Sequence, residues 1–373
     1  MLATLAADRK RLAEIQHQIF DLERTLAALK LENSTVQRRL DAYQYPVLTL
    51  PNEIISEIFL NVLPPYPECA PYLGLHSPLN LTHICRKWRQ IAFATPRLWR
   101  ALLLGPTDVW NDLQGVWVDR SGCCPLSIAV DDGFKEEQMV YRGGEFLEAI
   151  LPYRDRCEYL QLITTDFPLP LIPGSWPSLR HLDLDLSNDL DLRLDLSDVP
   201  LLRSARLECA SAHSLDLPWT QLTLLRMHTI RLDQALDVLQ KATKLRRCEL
   251  DLEIDFGVDD EMLEAGPRVV TLPHLESLRL SGDGEPMTDT LSYFNLPALS
   301  ILDVNEELLH PYPIGSLRSF ISRSSCSLKH VGIEGWRSVA DGAYPAAFPS
   351  IEYTFATRLP MGLGSSGVED VDS

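Results

Sequence analysis

The sequence predicts an α+β multidomain protein with an N-terminal coiled-coil helix, a small helical module and a C-terminal α/β solenoid. Three observations support this prediction. Apolar residues recur every three and four positions near the N-terminus, residues 50–99 contain two short helical patterns separated by prolines, and a leucine-rich unit recurs from about residue 150. The length of 373 residues suits two or three domains.

Residues 1–45 are predicted to form the coiled-coil helix. From Leu12 to Leu40 the apolar positions alternate at spacings of three and four, which describes an a/d seam of about four heptads. Asn33 falls at an a position, where a polar side chain fixes the register of a parallel dimer and lowers its stability. Two interpretations stay open: a homodimer through residues 11–40, or a long amphipathic helix packed on the globular part of the same chain.

Residues 46–105 are predicted to form the small helical module. In TLPNEIISEIFLNVLP, Pro51 and Glu53 suit the first turn of a helix, and the apolar stripe that follows is wider than a small unit can bury. Prolines end this helix and begin a Pro-rich loop at 64–78. A second helix is predicted in LNLTHICRKWRQIA, followed by a short turn at Leu98 and Trp99. The surplus apolar surface predicts a protein interface.

The order of motifs in this module carries a family resemblance. Leu50-Pro51 with Glu53-Ile54, then Cys85-Arg86-x-Trp88-Arg89, then Pro96-x-Leu98-Trp99, resembles the F-box as it appears in the F-box families of mushroom-type fungi. The resemblance covers residues 50–99 and implies docking onto a Skp-type adaptor and, through it, a cullin scaffold with a RING subunit. The adaptor-binding positions that it implies are Leu50, Pro51, Ile54, Ile58, Phe59, Leu81, Ile84, Cys85 and Trp88. The loop at 64–78 departs from the shortest F-boxes by lengthening the gap between the helices.

Residues 151–358 are predicted to form leucine-rich repeats, with an N-terminal cap at 106–150. The unit L-x-x-L-x-L begins at residues 157, 179, 202, 222, 245, 275, 299 and 328, with a decayed copy at 351. Spacings of 20 to 30 residues with this signature are typical of leucine-rich repeats, whose neighbouring copies stack into one core. Because residues of a strand alternate between faces, we expect outward, target-binding side chains at Asp183, Arg206, Arg226, Glu249, Arg279 and Asp303.

The charge is unevenly distributed. Residues 1–105 carry a net charge of +3, so residues 106–373 carry −21 against −18 for the whole chain. Such an acidic part disfavours nucleic acid and anionic membrane as partners. The acidic run at 183–198 is either a carboxylate cluster for a basic target or a solvated strand face. Residues 359–373 contain mostly Gly, Ser and acidic residues and are predicted to be a disordered tail.

Motifs for chemistry are not found in the sequence. The eight cysteines form no C-x-x-C pair, the nine histidines form no i, i+4 pair, and no phosphate-binding glycine loop occurs. We therefore expect no catalytic residue, no metal site and no cofactor. Neither a membrane-spanning apolar run nor a signal-peptide pattern occurs, which predicts a cytoplasmic or nuclear location.

Taken with the resemblance, these features predict a substrate-recognition subunit of a Skp–cullin–F-box ubiquitin ligase that binds its target through the repeats and is not itself an enzyme. A non-degradative scaffold is the alternative, in which the coiled coil and the repeats bind partners and the F-box-like helices only cap the repeats.

Overall fold

The structure is a computed structural model that describes residues 2–42, 46–71, 74–104, 116–131, 151–164, 174–186, 196, 198–208, 215–253, 269–283 and 289–356. The chain divides into two compact units, residues 1–58 and residues 59–373. The predicted tail at 359–373 lies outside the described residues, as do most of the predicted cap at 106–150 and residues 187–195 of the acidic run.

The first unit contains a long helix, α1 (Leu2–Ala42), and a short 3-10 helix at Pro46–Thr49. Strong helix formers dominate α1, and neither Gly nor Pro interrupts it. The helix predicted from the heptads is therefore present. None of its described side chains is buried, and the apolar seam from Leu12 to Leu40 is exposed along its length.

Helix α2 (Asn52–Val62) follows directly after Pro51 and ends before the predicted proline stop. The amide N–H of Ile55 donates to the carbonyl of Pro51 at 3.1 Å, so the proline begins the hydrogen-bonded turn without needing a donor of its own. Ile55 and Phe59 are fully buried and lie four residues apart on one face of α2. The wide apolar stripe in the sequence thus divides into a buried and an exposed side.

Two helices occupy the stretch where the sequence pattern predicted one: α3 (Pro78–Ile84) and α4 (Arg86–Phe93). They are separated at Cys85, whose backbone is extended with φ −157° and ψ 168°. The reason is local capping, because the Cys85 Sγ accepts a hydrogen bond from the Trp88 amide at 3.4 Å and so begins a new helix. The side chain of Arg89 then ties α4 to α3 through the carbonyl of Thr82 at 2.7 Å.

A parallel sheet fills the rest of the second unit. Within the described residues it has eleven strands, in the order β1-β2-β3-β4-β5-β6-β7-β9-β11-β12-β13. The strands are β1 (Ala101–Leu104), β2 (Leu126–Asp131), β3 (Cys157–Thr164), β4 (His181–Leu186), β5 (Ser204–Glu208), β6 (Leu224–Ile230), β7 (Arg247–Glu253), β9 (Ser277–Asp283), β11 (Ile301–Asn305), β12 (His330–Glu334) and β13 (Glu352–Ala356). A separate parallel pair joins β8 (Val270–Thr271) to β10 (Phe294–Asn295).

Each of the nine predicted L-x-x-L-x-L units overlaps one strand of the large sheet. The alternation of the leucines explains the core, because alternate strand residues face opposite sides of a sheet. In β4, for example, Leu182 and Leu184 are buried, and in β6 their counterparts Leu225 and Met227 are buried. The hydrophobic core therefore lies along one side of the sheet.

The connections on the core side include helices α5 (Leu232–Lys241), α6 (Pro313–Ser324) and α7 (Ala343–Ala347). Other described connections contain short 3-10 helices or irregular backbone, as the Pro-rich segments predicted. Helix α5 buries Leu236 and Leu239, so even this regular helix contributes only one face to the core.

The buried side chain of Glu306 joins the segment that follows β11 to the segment that follows β12. Glu306 is fully buried and accepts hydrogen bonds from the amide of Val339 at 3.1 Å, the Oγ of Ser338 at 2.8 Å and the hydroxyl of Tyr344 at 2.8 Å. A buried charge is tolerated only where donors satisfy it. Glu306 therefore fixes the 338–344 segment to the end of β11.

Candidate protein-interaction sites

The exposed side of α2 is the first candidate interaction surface. Ile54, Ile58 and Val62 lie at i, i+4 and i+8, so they form one stripe along the helix. Ile54 is 49% exposed and Ile58 is 40% exposed, although both are large apolar side chains. Pro51 is also exposed and Leu50 is half-buried. A contiguous exposed stripe of this kind is typical of a protein-binding surface.

The α3–α4 pair carries the other predicted adaptor residues. The ring of Trp88 packs against that of Phe59, with centroids 4.8 Å apart, and Leu81 is a buried residue of α3. Ile84 is exposed and is the last residue of α3, directly before the break at Cys85. Of the four predicted adaptor residues in this pair, Leu81, Ile84, Cys85 and Trp88, Ile84 is therefore the exposed one.

Burial sorts the nine predicted adaptor residues into three groups. Four are exposed, three are half-buried and two are buried: Pro51, Ile54, Ile58 and Ile84; Leu50, Cys85 and Trp88; Phe59 and Leu81. The two buried residues support the module from within and present no surface of their own in this chain.

Phe93 is an exposed aromatic residue of the module that the sequence pattern did not indicate as a contact. The guanidinium of Arg120 lies 3.8 Å from the centroid of its ring, and the ring of Trp99 lies 6.0 Å away. Its position at the end of α4, beyond the break at Cys85, explains why a single-helix pattern missed it.

The predicted target-binding residues form one row across the sheet. Six residues occupy the same register position on six successive strands of the sheet: Asp183, Arg206, Arg226, Glu249, Arg279 and Asp303. Neighbours in the row pair with each other: Arg226 lies 3.1 Å from Glu249, and Arg206 lies 3.8 Å from Asp183. The alternation within each repeat was sufficient to select this row from the sequence.

Asp183 differs from the rest of the row because it is only 5% exposed. Its carboxylate accepts hydrogen bonds from the Nε2 of Gln161 at 3.0 Å and the hydroxyl of Tyr159 at 3.4 Å. Burial raises the pKa of Asp183, and the charge of Arg206 opposes that rise. Asp183 is thus held by its neighbours, and the accessible part of the row begins at Arg206.

A second, acidic row lies two residues further along the strands and was not among the predicted target-binding residues. Asp185 and Glu208 are register partners there, so two like charges face each other on adjacent strands. Burial raises the pKa of Asp185 to about 6, and the charge of Glu208 adds to this rise. The signal for this row was present, since it follows from the same alternation continued by one step.

Neither a cluster of metal-ligating side chains nor a membrane-spanning helix is found in the described part of the chain. Among those residues no group of three or more His, Cys, Asp and Glu side chains is placed to hold a metal ion. No helix found there is both long enough and apolar enough to cross a membrane. Burial raises the pKa of the Cys157 and Cys248 thiols, which favours their neutral form.

The described residues thus present an exposed apolar stripe on α2 and a row of charged side chains across the sheet. Residues 47–105 match the sequence profile of the F-box-like family, so the chain contains an F-box-like domain, as the motif order predicted. Domains of this family typically bind Skp-type adaptors, and proteins that carry them typically act as non-catalytic adaptors in ubiquitin ligation. No curated protein matches the chain.

Proposed function

We propose that this protein is a substrate-recognition subunit of a Skp–cullin–F-box ubiquitin ligase. The observation that carries the proposal is the F-box-like domain at residues 47–105, whose helix α2 keeps an apolar stripe exposed. In such a subunit the protein catalyses nothing itself. It holds a target near the transferring enzyme, so that a bimolecular step becomes effectively intramolecular.

The adaptor contacts in this proposal come from the exposed residues. Ile54 and Ile58 are the main contacts on α2, with Pro51 at its start, and Ile84 is the contact on α3. Phe59 and Leu81 act indirectly by supporting the helices from within.

The target site in this proposal is the outward side of the large sheet, which we propose to be a leucine-rich-repeat solenoid. Support comes from the overlap of every repeat unit with a strand and from the parallel strand order. The charged row from Arg206 to Asp303 then provides the contacts to a target protein, and the acidic row with Asp185 and Glu208 borders it.

We further propose that α1 pairs with α1 of a second copy through residues 11–40. An exposed a/d seam that continues for about four heptads favours a coiled coil, and Asn33 at an a position favours a parallel pair in one register. Two copies would present two target sites, which raises the overall strength of binding without any new contact.

Co-purification with a Skp-type adaptor tests the proposed function. The full-length chain should retain the adaptor through size-exclusion chromatography, and the double variant Pro51→Ala/Ile54→Ala should lose it. A wild-type chain that never captures the adaptor would refute the ligase proposal and favour the scaffold alternative. The target is then sought by affinity capture under proteasome inhibition, because an inhibitor lets a normally degraded partner accumulate.

A further inference from the structure

The Pro-rich loop between α2 and α3 contacts the first three strands of the sheet. In β3, Glu158 accepts a hydrogen bond from the hydroxyl of Tyr66 at 2.9 Å. The guanidinium of Arg100 stacks on the same tyrosine ring, 3.8 Å from its centroid. Glu158 also pairs with the Nε of Arg180 at 3.0 Å, which links this contact to the start of β4.

The next residues of the loop lie against β2 and β1. The hydroxyl of Ser127 in β2, a fully buried residue, donates to the carbonyl of Pro67 at 2.5 Å. Ala70 is buried and forms a parallel bridge with Leu102 of β1. Since β1 is the first strand in the sheet order, the loop covers an edge whose backbone groups would otherwise be open to pairing.

The other end of the loop is fixed to the helices. The Nδ1 of His76 lies within hydrogen-bond distance, 2.9 Å, of the carbonyl of Val62 at the end of α2. The Oγ of Ser77 accepts from the amide of Leu79 at 3.2 Å and so caps α3. The loop is therefore anchored at the start of the α3–α4 pair as well as on the sheet.

A second route joins the same helices to the sheet. The chain runs from α4 through Trp99, which is fully buried and packs edge-on against Trp117 with centroids 5.1 Å apart. It continues directly into β1. A single covalent connection would leave the α3–α4 pair free to rotate about the junction with β1. The contacts of the loop with β1, β2 and β3 form a second attachment that restrains this rotation.

We propose that residues 64–71, which we call the edge clamp, fix the α3–α4 pair at one angle to the sheet. Tyr66 and Ala70 are its positioning residues, together with Ser127 on the sheet. The inference rests on the proposed function: with the adaptor on the helices and a target on the sheet, the clamp sets where the target lies relative to the transferring enzyme. Small displacements matter because transfer depends on holding the reacting groups in the right geometry.

The clamp is tested first by its rigidity, without any partner. The double variant Tyr66→Phe/Ser127→Ala removes two hydroxyl groups and keeps the shape of both side chains. Tyr312→Phe/Ser300→Ala is the matched control, because Tyr312 is exposed and the Ser300 hydroxyl donates to the carbonyl of Glu276, beside β9 and β11 and away from the loop. Ala70→Arg is a stronger second variant, because the larger side chain displaces the loop from β1.

Spin labels are introduced as non-natural amino acids at two exposed positions, Gln90 on α4 and Thr243 after α5. Pulsed electron resonance measures the distance between the two labels and so reports the position of α4 relative to the sheet. Wild type and control should give one narrow distance distribution. The clamp variants should broaden it at least twofold while their circular dichroism stays unchanged. An unchanged width in both clamp variants would overturn the inference.

The positioning role is tested second, in a reconstituted ligase with a Skp-type adaptor, cullin, RING subunit and ubiquitin-charged conjugating enzyme. Modification of the chain's own exposed lysines, such as Lys241, Lys244 and Lys329, serves as the probe. The clamp variants should capture the adaptor as wild type does, yet transfer ubiquitin several-fold more slowly and at a wider set of lysines. An unchanged rate and site pattern would overturn the positioning role. If wild type captures no adaptor, the proposed function fails, while the distance measurement still decides the clamp.

Discussion

Truncation of the exposed stripe on α2 should weaken adaptor binding without unfolding the protein. The change is the double variant Ile54→Ala/Ile58→Ala. Both side chains remain 49% and 40% exposed in the isolated chain, so their removal opens no internal cavity. Surface substitutions of this kind change the free energy of unfolding by about 0.5 kcal/mol or less, and alanine is the better helix former.

The expected loss follows from the exposed fraction. Full burial of an isoleucine side chain contributes about 1.5–3 kcal/mol. Somewhat less than half of each side chain is open to solvent, and covering this exposed part contributes about 1 kcal/mol per residue. The double variant should therefore lose about 2 kcal/mol of binding free energy, which corresponds to a dissociation constant raised roughly 30-fold.

Titration calorimetry with a purified Skp-type adaptor measures this change. Ile301→Ala is the control, because Ile301 is 40% exposed like Ile58 but lies on β11 of the sheet. The control should bind the adaptor as wild type does. Equal affinity of the double variant and wild type would refute the assignment of the stripe as the adaptor contact, and equal losses in variant and control would refute its specificity.

Three further predictions concern stability and assembly. Glu306→Ala should lower the free energy of unfolding by about 2 kcal/mol because the buried hydroxyl of Tyr344 and the half-buried amide of Val339 lose their acceptor. Glu306→Gln should lose less, and urea unfolding that ranks the two variants equally would contradict this. Asp185→Asn should raise the unfolding free energy at about pH 7.5 by about 1 kcal/mol, a figure reduced for the partly exposed side chain. The Asp185 carboxyl of wild type has a pKa of about 6 in the folded protein and 3.8 in the unfolded chain. The free energy of unfolding of wild type therefore falls as pH rises from about 4 to about 6. The stability advantage of the variant should vanish near pH 4, as measured by thermal unfolding. The full-length chain should sediment as a dimer, and the double variant Leu22→Asp/Leu26→Asp should sediment as a monomer. Leu31→Asp is the control and should stay dimeric, because Leu31 is as exposed as Leu22 but lies off the a/d seam. A monomeric wild type would refute the coiled-coil proposal.

Local periodicity explains how much of the fold the sequence predicts. The heptads predict α1, and the L-x-L alternation predicts strands β3 to β7, β9 and β11 to β13 together with the row from Asp183 to Asp303. In both cases a repeating pattern of a few residues determines which side chains share a face. The motif order of the F-box-like domain adds information of another kind, because it fixes specific residues rather than a period.

The features that the sequence did not predict depend on single contacts without a period. The break at Cys85 depends on one thiol acting as a helix cap, a role for which Ser, Thr, Asp and Asn are the usual signals. The edge clamp depends on pairs as distant as Tyr66 with Glu158. The burial of Asp183 depends on Tyr159 and Gln161 on the neighbouring strand, so its accessibility follows from packing across strands and not from its own repeat.

The burial of Phe59 also determines which variants can test the adaptor site. Its ring packs on Trp88 at 4.8 Å, and truncating a buried phenylalanine costs about 3–5 kcal/mol of stability. Phe59→Ala would therefore reduce adaptor capture by loosening the module, whether or not the residue ever contacts the adaptor. A loss of capture at a buried position thus does not distinguish a contact from a support, whereas the same loss at the exposed Ile54 or Ile84 does. The exposed residues are the ones whose variants can refute the proposed interface.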